Sequence, residues 1–323
     1  MKIPKGFRTK EEYDFPNIIN ISVLRGQCPC ECAHCPVGST PKDKRTEKFG
    51  NGLMDLDTFK KIADEVSKFN HSVLRIHGVG EPLLWKNLKK ALAYAKEKGA
   101  KTWLFTSLVT NDRDLIEFIA NNCSIVEVSV NSIDKINYRN TKGIDNYGLV
   151  VENIKHFSEF IKKNNLKTRL IASRVESLDK QYDNKFAEYW KNSRLVADSF
   201  VRSYHNYNNS IKDREKKEKR KPVPCLVHWT RFNIDYNGDA VVCFNELFRG
   251  AEADKTLVLG NVNRTSIQEI WHGGRLSLVR KAQLKGDYSL VNFTKNLCCV
   301  ECKYCQPLNT DRTTSEYQIK QLK

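Results

Sequence analysis

Four cysteines, Cys28, Cys30, Cys32 and Cys35, fall within eight residues of the stretch RGQCPCECAHCP. They are too close in sequence to pair as ordinary disulfides. The ladder Cys28-x3-Cys32-x2-Cys35 leaves Cys30 as the odd thiol, expected to point elsewhere because a loop of this length aims only every third or fourth side chain at one centre. Three thiolates at this spacing can hold three irons of a cubane cluster and leave the fourth iron open. Zinc is the competing reading, but structural zinc takes four ligands, usually in two close pairs. Recruiting Cys30, two residues from two other ligands, would crowd the tetrahedron. The spacing therefore favours iron–sulfur over zinc.

A second group comprises Cys225, Cys243, Cys298, Cys299, Cys302 and Cys305. The run FNIDYNGDAVVCF reads as a β-hairpin with a YNGD turn, which brings Cys225 and Cys243 toward each other. With the CxxC pair Cys302/Cys305 they make a four-ligand site, for which spacing alone leaves zinc and iron–sulfur even. Cys299-x2-Cys302 is a CxxC as well, so the register of the last pair stays open. Cys123, alone before a strand, reads as a buried core thiol.

Composition sets the frame. The chain has 323 residues, 40% hydrophobic, enough for one large domain or a large and a small one. No apolar run approaches the roughly 18–20 residues of a membrane span, and the charged N-terminus lacks a signal peptide's apolar stretch. The expectation is a soluble, cytoplasmic protein with no membrane partner, in which clustered cysteines are metal or redox thiols. The formal charge is +16, and part of the excess lies in KDREKKEKRK, residues 212–221. A solvated linker explains that run, and no nucleic-acid motif accompanies it, which argues against a nucleic-acid partner.

These thiols need a scaffold. Short apolar runs at 17–24, 72–78, 102–107, 125–130, 168–173 and 199–205 alternate with amphipathic segments at 56–69, 87–99, 113–122, 147–165 and 184–193. Six strands alternating with helices imply a parallel α/β sheet with helical crossovers. Chemistry in such folds sits at the C-terminal ends of the strands. The expected domains are 1–210, a charged linker 211–221, and a cysteine-rich region 222–323.

CxxxCxxC after the first strand of an α/β repeat resembles the radical S-adenosylmethionine (SAM) superfamily. The resemblance covers roughly residues 15–206. GVGEP (78–82) looks like that family's Gly-Gly-Glu element, so Gly80 and Glu81 are expected to meet the SAM amino group. His34 stands where the family often has an aromatic beside the adenine. Thr106 and Ser107 end the third strand. Ser129 and Asn131 resemble the family's ribose-contacting region, and Arg174 is placed to pair with the SAM carboxylate. The C-terminal region resembles the SPASM/twitch extension: PC at 224–225, Gly238-x4-Cys243, GNV at 260–262, SIQEIW at 266–271 and the final CxxC occur in order. The implied fold is a partial (β/α)6 barrel with a small C-terminal auxiliary-cluster domain. The implied cofactors are a SAM-binding [4Fe–4S] cluster on Cys28, Cys32 and Cys35, SAM itself, and one auxiliary [4Fe–4S] cluster on Cys225, Cys243, Cys302 and Cys305. One auxiliary cluster is the arrangement of aminocyclitol dehydrogenase and aminoglycoside epimerase members.

The resemblance implies reductive cleavage of SAM to a 5′-deoxyadenosyl radical, fed by a low-potential donor such as flavodoxin or ferredoxin. Only 27 residues precede Cys28, which carries the expectation that a peptide-recognition domain is absent. A small hydroxyl-rich substrate, sugar- or aminocyclitol-like, is expected, oxidised with the auxiliary cluster as electron acceptor. The alternatives are a peptide or protein substrate and a redox-neutral epimerisation using Cys298 or Cys299. At the end of the last strand, Arg202 and His205 are the expected catalytic residues, with Tyr207 beside them.

Overall fold

A computed structural model of the chain describes residues 3–214, 223–300, 302–308 and 314–322. Its centre is one nine-stranded sheet in the order β6-β5-β4-β3-β2-β1-β7-β8-β9. The strands are β1 (Ile18–Arg25), β2 (Val73–Val79), β3 (Thr102–Thr106), β4 (Ile125–Val128), β5 (Arg169–Val175), β6 (Asp198–Arg202), β7 (Arg231–Ile234), β8 (Asp239–Val241) and β9 (Val258–Asn261). β1 to β6 pair in parallel, each with the next, which gives the expected partial α/β barrel. Every residue of β1 is buried, as a central parallel strand covered on both faces must be. The crossover helices Leu56–Val66, Leu88–Glu97, Arg113–Asn122, Tyr147–Lys163 and Lys180–Asn192 bury their apolar faces on the sheet. The last begins earlier than its apolar spacing suggests, because Asp179 caps it by accepting the Tyr182 N–H at 2.9 Å.

The C-terminal hairpin does not stand apart. β7 pairs in parallel with β1, from Ile18↔Arg231 to Ile21↔Ile234, and the buried Asn20 and Asn233 side chains share a 2.9 Å hydrogen bond across the junction. β8 and β9 then continue the sheet antiparallel. The expected linker at 211–221 lies outside the described residues from 215 onward.

At the end of β1, Gly26 adopts φ +72°, and a Cβ there would meet the Gly50 carbonyl oxygen at 2.4 Å. This is a backbone position only glycine tolerates. It turns the chain out of the sheet and into the cysteine loop. Arg25, just before it, is fully buried and pairs with the buried Asp235 at the end of β7. Its remaining donors reach the carbonyls of Leu247 at 3.0 Å and Gly250 at 2.7 Å.

The barrel interior holds a charged layer. Glu127 on β4 is fully buried and accepts from Arg202 Nε at 2.6 Å, Arg202 Nη2 at 2.5 Å, Trp103 Nε1 at 3.1 Å and Arg75 Nη2 at 3.3 Å. Near the layer sits the C-terminal helix Thr314–Lys320. Ile319 and Leu322 pack on Val73, Trp103, Ile125, Ile171 and Phe200, and Gln318 bonds Arg169 and Asp198. A chain ending at residue 308 exposes that apolar floor and is expected to lose about 2–4 kcal/mol of stability, lowering the Tm by several degrees. Calorimetry on the holoprotein checks this; an unchanged Tm would show that the helix contributes no packing.

Candidate functional site

The cysteine loop is held from three sides. Arg45, almost fully buried, donates to the carbonyls of Cys28 at 2.7 Å, Cys30 at 3.0 Å and Thr40 at 3.0 Å. Gly38 packs so closely that a Cβ would lie 2.3 Å from the Cys32 nitrogen. A helix not foreseen in the sequence, Lys135–Lys142, closes the third side: the Glu31 N–H bonds the Lys142 carbonyl at 2.8 Å, and the Ala33 N–H bonds that of Thr141 at 3.3 Å. Gly143 ends this helix at φ +69°, where a Cβ would clash with Glu31.

These supports gather Cys28, Cys30, Cys32 and Cys35. Cys30 was expected to point away, and it does not. Its thiol is 1% exposed and shares hydrogen bonds with Cys28 and Cys32. The loop from 28 to 32 has no helical turn, so its side chains are not held to a spacing of three or four residues. Lys142 is buried among these thiols, with Nζ on the Ser129 carbonyl at 2.8 Å. Burial pushes its pKa down, but the neighbouring Cys32 and Cys30 outweigh burial and hold it above the usual lysine value. A fixed ammonium here offsets the negative charge that metal-bound thiolates bring.

Gly80 and Glu81 sit across from the loop. A Cβ on Gly80 would lie 2.3 Å from the Gln27 carbonyl oxygen, and the Glu81 N–H bonds that oxygen at 2.7 Å. The Glu81 carboxylate is 3% exposed. It accepts from Thr106 Oγ1 at 2.7 Å, the Ser107 N–H at 2.7 Å, Ser107 Oγ at 2.5 Å and the Leu83 N–H at 3.2 Å. Burial nonetheless leaves its pKa raised, against the lowering effect of Ser107 and Thr106. An added cation would therefore be welcome at this carboxylate.

The remaining sequence candidates divide. His34, Gly80, Glu81, Thr106 and Ser129 line one cavity with Cys28, Cys30, Cys35 and Lys142. His34 is neutral, its pKa pushed down to about 3 by burial and then by Lys142. Ser129 Oγ accepts from Asn131 at 2.6 Å, and Asn131 Oδ1 accepts the Val175 N–H at 2.8 Å, joining the ends of β4 and β5. Arg174 stands behind the wall. It is paired with Asp183 at 3.1 Å, yet its Nη1 is buried without an acceptor, a vacancy that suits a carboxylate.

Arg202 and His205 do not line the cavity. Arg202 is held by Glu127 inside the barrel, and His205 lies beside Tyr304, ring centroids 5.4 Å apart. Tyr207 lines it instead. It opens a turn in which Tyr207, Asn208 and Asn209 all have positive φ, a costly left-handed conformation. The sequence reading also passed over His77, at the C-terminal end of β2. It faces the cavity, its ring 4.1 Å from Phe244, and burial lowers its pKa well below the ordinary value. The strand-end rule could have found it.

The second thiol group is brought together as well. Cys225 bonds Cys305, Cys243 bonds Cys298, Cys298 and Cys299 sulfurs lie 4.0 Å apart, and Cys302 lies near Cys299 and Cys305. The segment near residue 306 returns to Cys225 through a bridge to Pro307 and the Leu226 N–H on the Gln306 carbonyl at 2.6 Å. Phe244 and Phe248, which follow Cys243, line the cavity of the first group. The second group's own thiols do not line that cavity; Cys298 and Cys302 line a separate one with Asn206, Asn208, Asn209, Asn245 and Lys303.

Cys30→Ala is expected to retain reductive SAM cleavage, and Cys32→Ala to abolish it, measured as 5′-deoxyadenosine formed under anaerobic reduction. Equal loss in both would remove Cys30 from its bystander role.

Comparison with known proteins agrees with this geometry. Residues 23–180 match the Radical SAM superfamily and residues 225–306 the SPASM iron–sulfur cluster-binding domain. Over 120 residues the chain is 29% identical to Fe-coproporphyrin III synthase of Methanosarcina barkeri, a match spanning 36% of this chain and 28% of that protein's length. Three solved structures share the fold. BtrN in complex with AdoMet and 2-DOIA aligns with TM-score 0.50 and 16% identity, over 90% of this chain and 93% of that one. Streptococcus suis SuiB bound to the precursor peptide SuiA gives 0.55 and 17%, over 90% and 70%. Native anSMEcpe with bound AdoMet gives 0.55 and 15%, over 94% and 95%. Among the described residues, no helix is long and apolar enough to cross a membrane. The chain belongs to the radical SAM superfamily and carries a C-terminal SPASM domain, and its cofactors are a [4Fe–4S] cluster, SAM and auxiliary iron–sulfur.

Proposed function

We propose that this radical SAM enzyme abstracts a hydrogen atom from a small hydroxyl-rich substrate and oxidises it, with the auxiliary cluster accepting the second electron. The supporting observation is the cavity lined by Cys28, Cys35 and Glu81 together with Phe248 and Phe244, the residue after Cys243. When bound on Cys28, Cys32 and Cys35, the cluster and SAM supply a 5′-deoxyadenosyl radical.

The chain's own residues supply position and proton transfer. Glu81, set by Thr106 and Ser107, receives the SAM ammonium in a charge-assisted contact. The free Nη1 of Arg174 serves its carboxylate, and neutral His34 packs beside the adenine. Gly80 keeps the backbone low enough for this approach. Ser129, held by Asn131, faces the ribose. Phe105, Tyr207, Phe244 and Phe248 form an aromatic wall that covers the C–H face of a ring substrate and excludes water. His77, which burial and then Arg75 keep unprotonated, lines the cavity with a ring nitrogen able to accept the carbinol proton. Arg202 and His205 act behind this wall, Arg202 by fixing Glu127. A low-potential flavoprotein or ferredoxin is the external donor.

A peptide side chain is the second reading. The aromatic wall and the fold shared with SuiB bound to SuiA support it. Neither Cys298 nor Cys299 is among the lining residues, whereas Cys30 is. A redox-neutral epimerisation would thus draw its hydrogen from Cys30.

Turnover in deuterated buffer tests the oxidation. The expected product is oxidised and carries no solvent deuterium at the abstracted carbon; an unoxidised product with solvent deuterium, lost in Cys30→Ala, would contradict it. His77→Phe is expected to lower product formation about 10²-fold or more while 5′-deoxyadenosine release continues. Equal loss of both would assign His77 to SAM binding.

A further inference from the structure

The barrel interior is layered. On β2, Arg75 and His77 lie two residues apart and so point to the same face. His77 reaches the cavity, and Arg75 lies one layer deeper, about 7 Å down the strand. Phe105, whose ring is 5.7 Å from the Arg75 guanidinium carbon, lines the cavity above it. Below, Val73, Trp103, Ile125, Ile171 and Phe200 are packed by Ile319 and Leu322, a floor that bars entry from beneath. The Arg75 and Arg202 side chains nonetheless keep 12% and 21% of their surface accessible.

This layer carries more positive charge than it neutralises. Arg202 grips Glu127 with two nitrogens, at 2.6 and 2.5 Å, which offsets that buried carboxylate. Arg231 feels Arg202 and is offset by Glu316. Arg75 is left over. Among the described residues its side chain makes one hydrogen bond, Nη2 to Glu127 at 3.3 Å, and its Nε is buried without an acceptor. The Trp103 ring, 4.7 Å from the guanidinium carbon, steadies the cation without neutralising it. Burial, and then the neighbouring Arg202, lower the Arg75 pKa to about 9 despite Glu127. A buried cation in this position calls for an anion.

We propose that the barrel interior below His77 is an anion subsite, in which Arg75 receives a carboxylate or phosphate of the substrate. The inference rests on the reading that the cavity takes a hydroxyl-rich molecule. It narrows that reading to a sugar-like acid whose anionic group lies about 7 Å from the reacting carbinol. Glu127 holds one edge of the guanidinium, so the bound anion fixes which carbinol carbon lies against His77. A charge-assisted contact of this kind, away from bulk water, favours an acid over its neutral analogue about tenfold or more.

The test is calorimetric titration of the reconstituted full chain, with SAM present, against inorganic phosphate, glucuronate, glucose 6-phosphate and glucose. At least one acid sugar is expected to bind about tenfold or more tighter than glucose, and the tighter of the two names the acid group. Arg75→Gln, with wild-type iron content, is expected to remove that preference, and Arg75→Lys to restore part of it. Glucose bound as tightly as both acids, no binding of any acid, or a preference that survives Arg75→Gln would overturn the proposal. If the Arg75 variants do not fold, phenylglyoxal labelling of the wild type, mapped by mass spectrometry, decides. Labelling of Arg75 that an acid sugar blocks and glucose does not is expected; an unlabelled or unprotected Arg75 overturns it. Phosphate bound at Arg75, with neither acid sugar bound more tightly, would keep the anion subsite and instead remove the hydroxyl-rich reading beneath it.

Discussion

The pair Arg25–Asp235 connects the two halves of the chemistry. Both side chains have no solvent exposure. Arg25 is the last residue of β1, immediately before the glycine that launches the cysteine loop, and Asp235 directly follows β7, at the head of the hairpin turn that leads to Cys243. The other guanidinium donors end on Leu247 and Gly250, in the segment just past Cys243. A buried ion pair of this kind adds little net stability over an apolar substitute, but leaving one partner alone costs about 3–5 kcal/mol. What it supplies is placement. With each of its three nitrogens hydrogen-bonded, Arg25 sets the first cysteine loop and the Cys243 segment against each other. β1–β7 pairing extends the same constraint along the sheet.

Several charges sit inside this frame where water cannot reach them, and each faces a group of opposite demand. Lys142 lies among the thiols, Glu81 lies across the cavity from them, and Glu127 holds Arg75 and Arg202 deeper in the barrel. Glu81 remains raised in pKa despite four donors, and Arg174 keeps an unfilled nitrogen. Those two are complementary to the ammonium and carboxylate of an amino acid. The cavity beside Glu81 touches both the first thiol centre and Phe244, the residue after Cys243. Oxidation by an auxiliary cluster needs that proximity; a lone radical step does not.

Much of this was legible in the sequence. The six parallel strands were visible because each is a short apolar run bounded by polar turns, and the cysteine ladders because their spacing is local. The sheet's continuation was hidden, since β1–β7 pairing joins residues more than two hundred positions apart and neither strand announces its partner. Helix Lys135–Lys142 was missed because it is mostly polar, held by its Asp134 cap and by the cysteine loop it supports. Cys30 was turned the wrong way because the loop was given a spacing of three or four residues per facing side chain, which an irregular loop does not keep. Arg202 ends a strand, as a catalytic residue would, but Glu127 claims it; His77, equally at a strand end, has an apolar neighbour and stays available to the cavity.

The central claim is that the chain holds two iron–sulfur centres and only one of them is open to SAM. EPR spectra of the reduced, reconstituted protein, recorded with and without SAM, test it directly. The account predicts two distinguishable [4Fe–4S] signals, of which one alone changes on adding SAM and the other keeps its g values. A single signal, or two that both ignore SAM, would contradict it.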